Sequence, residues 1–140
     1  MANHMAFRFD WHDVLDAIIS NVQGLNADIM DDGSARWEAV AICLDRRAIM
    51  VTVEPDTDQI ILSLTDLPSG DGWAPISSFD FAVSKPLGWS WLGINSQGYK
   101  DSFTIALGDV VPDALQPRFM FIAAASSLTG LDLIPHRAIG

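Results

Sequence analysis

The chain has 140 residues, of which 49% are hydrophobic and 19% charged, and this composition predicts one globular domain over residues 1–140. The formal net charge of −10 argues against nucleic acid and anionic membranes as partners, because both bind through basic surfaces. An acidic surface instead favours a cationic protein partner, whose approach it would steer.

The single cysteine, Cys43, excludes an internal disulfide. It lies inside the apolar run Val40–Leu44, so we expect a buried side chain rather than a nucleophile. The first residues lack the sustained apolar run of a secretory signal, and no apolar run is long enough to span a bilayer. These features predict a cytoplasmic protein.

The spacing of apolar residues predicts an N-terminal helix over Asp10–Gln23. Asp10 suits the N-cap, and Gly24 suits the end of the helix. Residues that would share one helical face are Trp11, Val14, Leu15, Ile18, Ile19 and Val22.

Short strand-like segments separated by turns follow this helix. An antiparallel meander is predicted from strands 35–44, 48–54 and 59–65, with Pro55–Asp58 as one of its turns. Further strands are predicted over 25–30, 76–83, 119–125 and 128–134. The fold class is therefore predicted to be α+β, a curved antiparallel sheet of about six to eight strands with the N-terminal helix packed on it.

The clearest turn in the chain is Asn95-Ser96-Gln97-Gly98, between strands over 88–94 and 99–107. Asparagine suits the first position of a type I turn, and glycine suits the positive φ that closes a three-residue hairpin loop. Asn95 would then lie opposite Tyr99.

Loop length decides which side chains share a face, because side chains alternate along a strand. A three-residue loop places Gly93 opposite Asp101, Trp91 opposite Phe103 and Trp89 opposite Ile105. A two-residue loop instead pairs Leu92 with Phe103 and places both tryptophans on the face of Lys100, Ser102 and Thr104, where they could be exposed. We favour the three-residue loop, because it fits the turn residues and gives a uniformly apolar face.

The candidate binding site is a group of aromatic side chains together with polar residues near the turn. Its residues are Trp73, Trp89, Trp91, Asn95, Tyr99 and Asp101. The simpler interpretation is a core with a polar rim, in which Asp101 bonds Asn95, Tyr99 or backbone N–H groups. The alternative is a pocket with Asn95, Tyr99 and Asp101 at its mouth.

No motif in the sequence points to a reaction. The glycines do not form a phosphate-binding loop, and a nucleophile elbow is missing. The aspartates near Asp56 and Asp58 lack the pattern of a calcium loop. We therefore predict no catalytic residue, no metal and no cofactor.

Three stretches resemble a group of small, uncharacterised bacterial domains of unknown function: Trp37–Val40, Glu54–Leu62 and above all Gly88–Asp101. Such domains are similar in size and layout to immunity proteins of polymorphic toxin systems. The resemblance implies a cytoplasmic, non-enzymatic protein and brings no catalytic residues.

Three hypotheses follow. The favoured one is a protein-binding module that uses acidic turns and exposed aromatics such as Trp73. The second is a small-ligand binder or an enzyme with a pocket beside the 88–107 hairpin. The third is a homo-oligomer formed through a sheet edge or an apolar patch.

Overall fold

A computed structural model describes residues 7–133 of the chain, and within this range the regular secondary structure is mostly β-strand. The strands are β1 (Asn21–Leu25), β2 (Asp28–Ile29), β3 (Ala35–Arg36), β4 (Ala39–Cys43), β5 (Arg47–Glu54), β6 (Gln59–Asp66), β7 (Trp73–Pro75), β8 (Leu87–Ile94), β9 (Lys100–Leu107), β10 (Pro117–Ala124) and β11 (Ser127–Asp132).

The strands form two main antiparallel sheets that share one hydrophobic core. One sheet has five strands in the order β6-β5-β4-β1-β7, and the other has four in the order β11-β10-β9-β8. β2 and β3 form a separate small hairpin. The shared core contains, among others, Val40, Ile42, Ile49, Val51, Ile60 and Leu62 from the larger sheet and Phe103, Ile105, Phe119, Phe121 and Leu128 from the smaller one.

The predicted α+β class with an N-terminal helix over Asp10–Gln23 is wrong. Helical geometry in this segment is limited to a 3-10 turn, Trp11–Asp13, which Asp10 caps by accepting a hydrogen bond from the His12 N–H at 3.0 Å. The chain then bends at Asp16, whose φ of +70° is incompatible with a right-handed helix.

Long-range pairing explains why the helix does not form. The Asp16 N–H donates to the Leu87 carbonyl at 2.9 Å, and the Ile19 N–H donates to the Lys85 carbonyl at 2.9 Å. Ile18, which a helix would bury, is 54% exposed. The apolar residues of this segment thus have helical spacing, but its backbone bonds to residues 85–87, which are distant in the sequence.

The predicted strand over 76–83 is also wrong. These residues form 3-10 turns, Ser77–Ala82, that carry Phe79 into the core. The Phe79 ring centroid lies 5.3 Å from those of Phe119 and Phe121. The alternation of Phe79 and Phe81 around Asp80 therefore reflects turns that pack on the smaller sheet rather than a strand.

The predicted meander is confirmed as β4, β5 and β6, with the turn at Pro55–Asp58. β4 is buried on both faces, because its inner side chains enter the shared core and its outer ones form a second cluster with Ala48 and Met50. Helical elements in residues 7–133 are 3-10 turns, and none is long and apolar enough to cross a membrane.

Candidate functional site

The turn between β8 and β9 has the predicted three-residue loop. The Asn95 N–H donates to the Tyr99 carbonyl at 2.9 Å, and the Gly98 N–H donates to the Asn95 carbonyl at 3.0 Å. The Asn95 side-chain oxygen accepts from the Gln97 N–H at 2.8 Å, and Gly98 has a φ of +87°. Asparagine and glycine thus have the roles in the turn that the sequence predicts.

A β-bulge follows directly after this turn. Ile94 pairs with Lys100, but Gly93 pairs with Ser102, so Asp101 is an extra residue on β9 without a partner on β8. An extra residue of this kind reverses the alternation of side chains between the two strands.

The bulge moves both tryptophans to the outer face of the smaller sheet. Leu92 lies opposite the buried Phe103, and Trp91 lies opposite Thr104. The predicted pairs Gly93–Asp101, Trp91–Phe103 and Trp89–Ile105 are therefore wrong. Beyond Asp101 the strands have the register that we assigned to a two-residue loop, although the loop has three residues.

A second irregularity positions Trp89. Gly88 and Trp89 lie together opposite Ala106. A Cβ atom on Gly88 would approach the Ala114 carbonyl oxygen to 2.8 Å, so glycine allows the 3-10 turn Asp113–Leu115 to pack closely on β8. Trp89 follows directly after this contact and is exposed.

These tryptophans belong to a continuous surface that has no charged side chain, which we call the tryptophan face. It consists of Trp89, Trp91, Ser102, Thr104, Met120, Ile122, Thr129 and Leu131. Trp89 is 48% exposed, Trp91 37% and Leu131 44%. Half-exposed indoles on a charge-free sheet face are typical of a surface that contacts another molecule.

The polar residues of the predicted site lie at the hairpin tip. The Asn95 amide donates to an Asp101 carboxylate oxygen at 3.1 Å, which is one of the structural bonds predicted for Asp101. Tyr99 is 40% exposed beside them. Because Asn95 uses its amide and its carbonyl for local bonds, it holds the tip and the bulge together.

Trp73 lies elsewhere, on the five-stranded sheet. It pairs with Leu25 across β7 and β1, and it packs against the outer cluster of Ala41, Cys43 and Ala48. The structure therefore brings five of the six predicted residues to the β8–β9 hairpin and separates Trp73 from them.

A cleft of about 510 Å³ lies at the opposite end of β8 and β9 from the hairpin tip. Its lining residues are Phe81, Lys85, Pro86, Leu107, Gly108, Asp109, Asp113, Gln116 and Arg118. Arg118 forms an ion pair with Asp132, and its guanidinium lies 3.9 Å from the centre of the Phe81 ring. The lining contains cations and carboxylates but no serine, cysteine or histidine that could act as a nucleophile or as its base.

Sequence reasoning missed this cleft and half of the tryptophan face. The cleft combines segments that are distant in sequence, so no local pattern marks it. Met120 and Ile122 did leave a signal, because they alternate with the buried Phe119 and Phe121. A strand with apolar residues on both faces has an outer face that needs a partner or a cover.

The shifted pKa values belong to groups that are not on the tryptophan face. The hydrogen bond from the His12 N–H lowers the pKa of Asp10, and the hydrogen bond from the Ser34 hydroxyl lowers that of Asp32. Burial raises the pKa of the Cys43 thiol. Among residues 7–133 there is also no group of three or more histidine, cysteine, aspartate or glutamate side chains that could hold a metal ion.

No curated protein and no solved structure matches the chain. A family described as a family of unknown function, DUF6334, matches residues 1–133. The resemblance to an uncharacterised domain family is thereby confirmed, and it extends beyond the middle of the chain to almost its full length. The chain belongs to this family, DUF6334.

Proposed function

We propose that the protein is a non-enzymatic protein-binding module that contacts a cationic protein through the tryptophan face. The observation that supports this most is the exposure of Trp89 and Trp91, two residues apart on β8, among the uncharged side chains of the tryptophan face. Tryptophan is among the residues that contribute most to binding energy at protein interfaces.

The negative net charge of the molecule favours a cationic partner. The net charge of −10 would attract a cationic protein and speed its approach, and the uncharged face would then provide contacts without the cost of desolvating ions. We place this activity in the cytoplasm. An immunity-protein-like role, in which the partner is a toxin, is the specific form of the proposal that the resemblance of Gly88–Asp101 favours.

Capture of a partner from a lysate of the source cells, compared between variants, tests the proposal. The wild-type protein should retain a basic protein at low ionic strength, and the double variant W89S/W91S should retain it at least about ten-fold less. The control I29S removes another exposed apolar side chain, which is 63% exposed on β2, and should bind as the wild type does.

Two outcomes would count against the proposal. The first is that the wild-type protein retains no partner even at low ionic strength, where steering is strongest. The second is that W89S/W91S retains the same partner as fully as I29S does, because the contact would then lie away from the tryptophan face.

The cleft makes a small-ligand binder the second candidate. Its volume of about 510 Å³ is within the range of ligand sites, and Lys85 and Asp113 could bind opposite charges of a small zwitterion. A thermal-shift screen of amino acids and related zwitterions tests this candidate. Stabilisation that is absent from the variant K85A would support it, and no stabilisation by any compound would remove it.

A further inference from the structure

β8 is the outermost strand of the four-stranded sheet, and its free edge is covered only where it begins. There the N-terminal segment pairs with it through the Leu87 N–H, which donates to the Ala17 carbonyl at 2.9 Å. The Trp11 indole N–H donates to the Gly88 carbonyl at 2.8 Å. Beyond Gly88, no strand within residues 7–133 lies along this edge.

The other long sheet edges are each bridged at one point by the chain itself. Phe7 bridges to Leu62 on β6, and the Arg8 N–H donates to the Leu62 carbonyl at 2.9 Å. Trp37 and Leu128 exchange two backbone hydrogen bonds at the edge of β11. On β8 the contact lies at the start of the strand, so residues 89–94 form the longest stretch of these edges without a neighbouring strand in the described part of the chain.

Beyond the irregularity at Gly88 and Trp89, this edge also lacks protection by charge against pairing. Exposed edge strands commonly carry lysine or another charge that prevents association with a second strand. The chain has no charged residue between Lys85 and Lys100, although 19% of its residues are charged. An uncovered and uncharged edge of this length is suited to a partner strand.

We propose that β8 pairs antiparallel with β8 of a second copy, around a two-fold axis at Trp91. In this register Trp91 lies opposite Trp91 of the partner subunit, and Trp89 lies opposite Gly93 of the partner subunit. This register keeps both tryptophan faces on the same side of the joined sheet and begins where the contact with the N-terminal segment ends.

Glycine at position 93 fits this register. A Cβ atom there would overlap the Ser102 hydroxyl, so the position is bare on the outer face. An indole across the strand can cover such a glycine, which is a known way of stabilising glycine in sheets. Aromatic contacts between facing strands stabilise the pairing further.

The charge distribution favours a second copy over a charged partner strand at this edge. No charged side chains face each other across the axis, because residues 86–99 are uncharged. The contact uses the edge of β8 and leaves the outer surfaces of the indoles free, so the proposal goes beyond the proposed function and does not depend on it. The joined sheet would carry eight strands and four tryptophans on one face.

Sedimentation equilibrium of charge variants at the axis tests the proposal. The wild-type protein should dimerise, with a Kd on the order of micromolar because the interface is small. W91K and W91E should each dimerise at least ten-fold more weakly, since like charges then face each other. An equimolar mixture of W91K and W91E should recover the dimer, because position 91 faces itself. I29E, which adds a charge on β2, should dimerise as the wild type does.

Any of three results would overturn the proposal. A wild-type protein that stays monomeric at about 100-fold above the expected Kd excludes the dimer. Dimers of W91E as tight as the wild type exclude an interface at β8. Failure of the mixture to dimerise, when each variant is folded by circular dichroism, excludes an axis at Trp91. None of these results affects capture of a basic protein by the wild-type chain, so the proposed function is tested separately.

Discussion

Cys43 illustrates how burial decides the chemistry of a single residue. It is 2% exposed on the outer side of β4, and its Sγ lies 3.9 Å from the Ala41 carbonyl oxygen, to which the thiol donates weakly. Burial raises the pKa of the Cys43 thiol, so the reactive thiolate is scarce at neutral pH.

We therefore predict that Cys43 reacts with a thiol reagent at least about 100-fold more slowly in the folded protein than in urea. The absorbance of the released aromatic thiolate measures both rates at neutral pH. Rapid reaction of the folded protein would contradict the assignment of Cys43 as a structural residue, and C43S provides the blank.

Close packing against Trp37 requires a glycine at position 24. A Cβ atom at Gly24 would overlap the indole ring of Trp37, which is 7% exposed and joins the two sheets through its hydrogen bonds to Leu128. We predict that G24A lowers the free energy of unfolding by about 1–3 kcal/mol, because the indole must shift.

Urea denaturation measures this effect, and G33A is the matched control. Gly33 has open space around it and a φ of +87°, so alanine there costs about 1 kcal/mol from backbone strain alone. A G24A variant as stable as the wild type would show that Trp37 can move at no cost.

At the scale of single elements, the bulge at Asp101 accommodates one extra residue of β9 between the three-residue loop and the register that places Trp91 opposite Thr104. Pairing on either side of the bulge is regular, with Ile94 opposite Lys100 and Gly93 opposite Ser102. Removing Asp101 would join these two stretches without changing either register. The tryptophan face would then persist, with only the hydrogen bond from Asn95 lost.

We predict that deletion of Asp101 costs about 1 kcal/mol of stability and leaves the quenching of indole fluorescence by acrylamide unchanged. Deletion of Thr104, a regularly paired residue, is the comparison, because it forces the rest of β9 to reverse its faces and should prevent folding. If the two deletions lowered the stability equally, Asp101 could not be removed without disturbing the pairing of β8 with β9.

Elements defined by local chemistry could be predicted from the sequence, whereas those decided by distant contacts could not. The turn at Asn95 and the meander β4–β6 depend on turn residues and on short apolar runs, and both were predicted. The prediction of an N-terminal helix was wrong because the backbone of Asp16 bonds to Leu87, about seventy residues away, and no local pattern reveals such a contact.

In the β8–β9 hairpin the turn could be predicted from local sequence, whereas the register of the strands could not. The three-residue loop was predicted correctly, but the strand register was not, because β9 contains one unpaired residue, Asp101, and has suitable side chains on both faces. Periodicity cannot locate a bulge in such a strand. Trp73 was grouped with the hairpin residues because its loop composition suggested a contact surface, although it packs on the other sheet.

On the scale of the whole molecule, charge is separated from the surfaces that we assign to binding. The chain has 18 acidic and 8 basic residues, yet the tryptophan face and the free edge of β8 have none. Long-range electrostatics should thus act on the approach of another molecule, and short-range apolar contact should hold it. These two effects differ in their dependence on salt.

The two proposed contacts should therefore respond to ionic strength in opposite directions. Two copies that each carry a net charge of −10 repel each other, so the dimer should become several-fold tighter as the Debye length falls from about 30 Å to about 8 Å. A complex with a cationic protein should weaken over the same range, because the attraction is screened. Sedimentation of the wild-type protein alone, and then with the captured partner, measures both trends in one salt series. The mixture of W91K and W91E is the control, since its own attraction across the axis should reduce the gain from salt. A dimer that weakens with salt would mean that opposite charges hold it, in conflict with an uncharged β8 edge.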